Sequence, residues 1–68
     1  MMVSILLNGE QKAVEVDSTI LDLLTRLKMN PKFLAVELNR RVVPRSEHIK
    51  TKLAENDLVE IVTLAGGG

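Results

Sequence analysis

The chain contains no cysteine. Its fold is built without disulfides, and no side chain can act as a thiolate nucleophile or carry a persulfide. A cysteine-free chain fits the reducing cytoplasm, which is the expected compartment. There is a single histidine, His48. Without a second histidine or a cysteine, and with scattered carboxylates, no metal centre is expected. No charge of one sign is in excess: nine Lys and Arg balance nine Asp and Glu. No like-charge block is long enough for a nucleic-acid arm, so no nucleic-acid partner is expected. Arg40, Arg41 and Arg45 form a small basic cluster that reads as a solvated loop. Long apolar runs are also missing. Met1 to Leu7 has no basic leader and is too short for a signal peptide or a membrane span, so no membrane partner is expected. No glycine precedes a helix in the manner of a phosphate loop, and no serine has a base partner in a recognisable motif. Ser4, Ser18 and Ser46 read as strand and cap residues. The chain is not expected to be an enzyme.

What is present is enough for one small domain. At 68 residues, with 46% hydrophobic and 26% charged residues, the composition is that of a globular fold and not of a disordered segment. A chain of this size buries only about 60% of its unfolded surface. It has little room for both a core and an enclosed active site.

Local patterning predicts the elements. Val3 to Leu7 is a strand of aliphatic and β-branched residues. Asn8-Gly9 follows, a dipeptide suited to a two-residue turn with positive φ at both positions. Lys12 to Val16 is the returning strand. Asp17-Ser18-Thr19 supplies helix-capping oxygens. Ile20, Leu23, Leu24 and Leu27 follow at i, i+3, i+4 and i+7, one apolar helix face. Asp22 in the first turn and Arg26 and Lys28 in the last suit the helix dipole. Asn30-Pro31 is the expected stop. Phe33 to Leu38 is a third strand and Asn39-Arg40 a tight turn. Arg41 to Val43 is a short strand ended by Pro44. Ser46 to Lys52 is an irregular connection, read as a helical turn capped by Ser46. Glu55-Asn56-Asp57 is a turn, and Leu58 to Leu64 is the last strand. Hairpin, crossing helix, then further strands is the β-grasp order. The expected fold is α+β: a mixed sheet of four to five strands with one main helix across it. The last strand should lie beside the first, in the middle of the sheet. The domain is expected over residues 1–64, with 65–68 as a flexible tail.

That tail, Ala65-Gly66-Gly67-Gly68, is where chemistry is expected. Glycine has no Cβ, so its backbone can thread a channel too narrow for other residues. A carboxylate at the tip of such a strip is a candidate reacting group. It becomes an acyl donor only after activation, for example as an acyl-adenylate made from ATP. A sulfur nucleophile could then displace AMP. The chain has no machinery for this step, so a partner must supply it.

With order and tail together, the sequence resembles the ThiS family of sulfur carriers. The matching stretches are Asn8-Gly9, Ser18-Thr19-Ile20-Leu21, Ala35-Val36-Glu37-Leu38-Asn39 and Val43-Pro44-Arg45. To these are added Asn56-Asp57-Leu58-Val59-Glu60-Ile61-Val62 and the terminal Gly66-Gly67-Gly68. They run through nearly the whole chain in the family's order. The resemblance implies a ubiquitin-like β-grasp fold with no bound cofactor. It implies that a ThiF-like adenylyltransferase activates Gly68 with MgATP. Sulfur from a cysteine-desulfurase relay would then replace AMP, giving a thiocarboxylate. A ThiG-like thiazole synthase would take that sulfur for the thiazole of thiamine. Gly67 and Gly68 match the family's terminal pair, and Gly66 extends the tail presented to these enzymes. Related carriers share such tails. The molybdopterin-synthase small subunit has aromatic and proline residues before its glycines, which Glu60 to Leu64 lacks. A ubiquitin-like modifier joined through Gly68, a carrier for another pathway, and a plain interaction module remain alternatives.

A docking surface is expected at the root of the tail. Glu60 is costly to bury, so Val59 and Ile61 should face the core. Leu58, Val62 and Leu64 then face outward, with Phe33 and Ala35 on the matching face of the third strand. These five residues are the candidate patch.

Overall fold

The computed structural model describes residues 1–64. Five strands form one sheet: β1 (Met2–Leu7), β2 (Glu10–Glu15), β3 (Leu34–Leu38), β4 (Arg41–Val43) and β5 (Leu58–Thr63). Their order across the sheet is β2-β1-β5-β3-β4. One helix, α1 (Ile20–Arg26), packs on one face. β1 and β5 run parallel at the centre, and every other neighbouring pair is antiparallel. The mixed sheet and the crossing helix are the expected β-grasp.

The two tight hairpins follow from local chemistry. Asn8 and Gly9 both have positive φ, 49° and 85°, as do Asn39 and Arg40, 53° and 70°. A two-residue turn with left-handed backbone at both positions matches the right-handed twist of the flanking strands. The entry to α1 is a capping box. Thr19 Oγ1 accepts from Asp22 N at 3.1 Å, and Asp22 Oδ2 accepts from Thr19 N at 2.9 Å. Two backbone donors with no helical partner are thereby satisfied.

The core lies between α1 and the inner face of the sheet. Ile20, Leu23 and Leu24 of the helix meet Ile5, Val14, Leu34, Val36, Val59 and Ile61, with Leu53 closing one end. Val59 and Ile61 face inward, as the cost of burying Glu60 requires. The inner positions alternate with outer ones along each strand because successive side chains point to opposite faces.

Several boundaries differ from the sequence-based expectation. The helix ends at Arg26, four residues before Asn30. Lys28 sits in the left-handed region at φ 58°. Lys28 N bonds to Thr25 O and Met29 N to Leu24 O, the paired hydrogen bonds of a Schellman stop. A glycine would have advertised this stop; a lysine concealed it. Lys28 is thus outside the helix. Pro31 instead starts a short 3₁₀ turn, Pro31–Phe33, in which Asn30 Oδ1 accepts from Lys32 N at 2.9 Å. Phe33 therefore belongs to that turn and β3 begins at Leu34. Strand β2 is Glu10–Glu15, and Val16 falls in the following turn. Ser46 does not cap: the 3₁₀ turn Arg45–Glu47 has Pro44 at its start and no side-chain cap.

The segment after β4 has a definite task. Ile20 N bonds to Thr51 O, Leu21 N to His48 O, and Leu53 N to Ser18 O. Residues 45–53 thus lie over the start of α1 and occupy its first free donors.

Candidate functional site

The site is built on β5, the central strand. Its pairing with β3 runs Leu38↔Val59, Glu37↔Glu60, Val36↔Ile61, Ala35↔Val62 and Leu34↔Thr63. The same register continues one step: Leu64 N bonds to Phe33 O at 2.8 Å. Leu64, the last described residue, is therefore held to the sheet. Gly66, Gly67 and Gly68, and the flexible tail over 65–68, lie outside the described residues.

The opposite edge of β5 is held by a side chain. The β1–β5 ladder stops at Leu7↔Val59, because β1 turns away into the hairpin. Asn8 takes over from there. Its Oδ1 accepts from Ile61 N at 2.8 Å, and its Nδ2 donates to Ile61 O at 3.3 Å. The amide thus imitates one more residue of strand. Asn39 does related work at the start of β5. Its Oδ1 accepts from Leu58 N at 2.9 Å and its Nδ2 donates to Asp57 Oδ1 at 3.1 Å. Both asparagines stand in left-handed turns, where Asn is tolerated better than most residues. Sequence reading found them as turn residues and missed them as partners of the central strand. The signal was there only as an amide side chain at a place where glycine or aspartate would also have served the turn.

The five candidate docking residues come together in part. Ala35 and Val62 are direct cross-strand partners on the outer face. Val62 is 54% exposed, Leu64 51% and Phe33 55%. Phe33 and Leu64 adjoin through their backbone bond. Leu58 and Ala35 are half-buried. Leu58 shares the face of Glu60 and Val62 and lies beside Leu6 of β1. Residues 46–52 do not screen this face; their bonds go to the start of α1.

The remaining candidates lie elsewhere. His48 is buried, and its Nε2–H donates to Val43 O at 3.0 Å, while Nδ1 has no hydrogen-bond partner. It ties the segment after β4 back to that strand. Arg40, Arg41 and Arg45 are all exposed, in the β3–β4 turn, at the start of β4 and in the 3₁₀ turn beyond it. No described helix is long and apolar enough to cross a membrane.

The arrangement is a β-grasp domain whose central strand leads straight into a glycine run. This defines a ubiquitin-like carrier-type domain. The model of the ThiS family matches residues 5–68. The chain belongs to the ThiS family. It is 33% identical over 63 residues to the sulfur carrier protein ThiS of Bacillus subtilis, covering 91% of this chain and 96% of that one. A crystal structure of the thiamine biosynthesis protein ThiS from Geobacter metallireducens superimposes with a TM-score of 0.84 at 29% identity, covering 97% of this chain and all of that one. The chain is also 40% identical over 62 residues to a thiazole synthase of Magnetococcus marinus. That match covers 91% of this chain but 19% of the synthase, so the chain spans about a fifth of that relative's length.

Proposed function

We propose that this protein carries sulfur on the carboxyl group of Gly68 and delivers it for synthesis of the thiamine thiazole. The supporting observation is that the family match runs through the glycine run, which follows a strand held by hydrogen bonds on both edges. A carrier of this kind needs a firm base and a narrow reactive end. The strand is the first, and glycines without Cβ atoms suit the second.

The chemistry is done by partners. In an adenylyltransferase of the ThiF type, a Gly68 carboxylate oxygen attacks the α-phosphorus of MgATP, and pyrophosphate leaves. The resulting acyl-adenylate has a good leaving group. A sulfur nucleophile, supplied through a cysteine-desulfurase relay, attacks the carbonyl carbon and AMP leaves. With hydrosulfide as the nucleophile the product is the thiocarboxylate, and one proton is released. The protein itself is a co-substrate and holds no cofactor. The sulfur acceptor is a thiazole synthase, a reading supported by the synthase of which this chain matches a part. Phe33, Ala35, Leu58, Val62 and Leu64 are the docking patch for these enzymes, because an exposed apolar group beside a reactive end suits a partner surface.

Intact-mass measurement tests the reading. The protein is incubated with MgATP, sulfide and the adenylyltransferase encoded in the same genome. The expected product has the mass gain of one oxygen replaced by sulfur. A variant lacking Gly68 should fold normally and show no gain. Conversion of that variant at the parental rate would refute the assignment. Lysine adducts in cells without any thiocarboxylate would make the protein a modifier instead.

A further inference from the structure

The outer face of the sheet carries charge of one sign only. Alternation places Glu15, Glu37 and Glu60 outward on β2, β3 and β5. No outward position on any of the five strands holds a lysine or arginine. The two strand cations, Lys12 and Arg41, face the other way: they pair with the inward residues Ile5 and Leu38. A chain with zero formal net charge thus keeps its cations off this face.

Two of the three carboxylates oppose each other. Glu37 and Glu60 are direct cross-strand partners. The bonds Asn39 N to Leu58 O and Leu64 N to Phe33 O fix which pairs exchange hydrogen bonds. By alternation, Glu37–Glu60 is one of them, with Cα atoms about 5.5 Å apart. Like charges directly opposite destabilise a sheet. Glu15 has a counter-charge, the N-terminal ammonium at 3.9 Å. Neither Glu37 nor Glu60 takes part in any ion pair among the described residues. Their surroundings are apolar: Ala35 and Val62 form the next outward pair, Val42 stands opposite Glu37, and Leu58 is two residues before Glu60. The fold gains nothing from two uncompensated carboxylates here. A breach of a local rule without structural compensation is where function is expected.

We propose that Glu37 and Glu60 jointly receive an arginine side chain of the thiazole synthase, presented from an apolar surface that covers Ala35, Leu58 and Val62. A guanidinium offers five donors in a planar fork and can serve two carboxylates at once. The apolar ring removes water on docking and strengthens the attraction. The repulsion stored in the free protein is relieved when the cation arrives, so the pair favours the complex over the free state. This deepens the carrier reading and rests on it.

The test is a calorimetric titration of the full chain into the purified thiazole synthase encoded in the same genome, at low and high salt. Urea unfolding is run on each variant. Glu37→Gln and Glu60→Gln should each weaken binding about tenfold, and the double variant by roughly tenfold to a hundredfold. The double variant should also lose most of the salt dependence, with a urea midpoint equal to or above the parent's. Double-variant binding with the parent's affinity and salt dependence overturns the proposal and leaves the carrier reading standing. A weakened complex accompanied by a lowered urea midpoint also overturns it, since the pair would then be structural. Failure of the parent itself to bind the synthase overturns the partner reading and this proposal with it.

Discussion

Replacing Asn8 should loosen the root of the tail more than any other single change outside the core. Its amide makes two hydrogen bonds to Ile61 and covers a strand position that β1 does not reach. An ordinary hydrogen bond contributes about 0.5–1.5 kcal/mol net, and a buried donor left unpaired costs about 1–3 kcal/mol. The 2.8 Å bond counts at the full value and the 3.3 Å bond at the low end. Asn8→Gly preserves the left-handed backbone and removes only the amide, so it should cost about 1–3 kcal/mol. Asn8→Ala adds the strain of a Cβ at φ 49°, about 1 kcal/mol more. In a domain of 60–100 residues, 1 kcal/mol moves the melting temperature by about 4–8 °C. The glycine variant should therefore melt roughly 5–20 °C lower, with alanine lower still. Asn8→Asp can still accept from Ile61 N, but it sets a carboxylate oxygen against Ile61 O, so it should not restore the parent's stability. Urea unfolding gives the free energies, and hydrogen exchange gives the location. The Ile61 amide should lose protection more than Val59, whose neighbour Leu7 is untouched. If Asn8→Gly matches the parent within about 0.3 kcal/mol, and Ile61 exchanges as before, the amide is not the missing strand residue and the argument fails.

Further outcomes follow from the same geometry. Lys28→Gly should stabilise the domain by about 0.5–1 kcal/mol, because a glycine meets φ 58° without Cβ strain while both bonds of the helix stop remain; a lowered urea midpoint would contradict this. Gly9→Ala should destabilise by about 1 kcal/mol through backbone strain alone, since nothing lies within 4 Å of the added Cβ. Thermal melts would decide it, and an unchanged midpoint would show that the turn rearranges. Val62→Asp and Leu64→Asp change exposed side chains. Each should shift stability by no more than about 0.5 kcal/mol yet weaken binding to the adenylyltransferase in titration. Normal binding by both would remove these residues from the docking patch.

The legible parts of this protein were those decided within a few residues. Asn8-Gly9 and Asn39-Arg40 declare tight turns, because positive φ is a property of the residues themselves. Thr19 and Asp22 declare the start of α1, because a capping box closes within one turn. The inward choice of Val59 and Ile61 over Glu60 follows from the cost of burying a carboxylate, whatever the sheet around it. The family resemblance added the order of strands, and the structure agrees with it.

Other features depended on contacts between distant segments. The end of α1 was read too late because Lys28 adopts a conformation that its side chain does not announce. Phe33 was placed in a strand because its apolar character suits one, but the turn after Pro31 holds it. Nothing in the sequence near His48 says that it is buried against the carbonyl of Val43. The amides of Asn8 and Asn39 find β5 only because β1 and β3 turn away beside it, across separations of 53 and 19 residues. The face-to-face placement of Glu37 and Glu60 is likewise a matter of register. Turn chemistry and alternation are local and survive in a single strand. Register is set only when the whole sheet closes on its helix, because a slip of one residue would turn every core side chain outward.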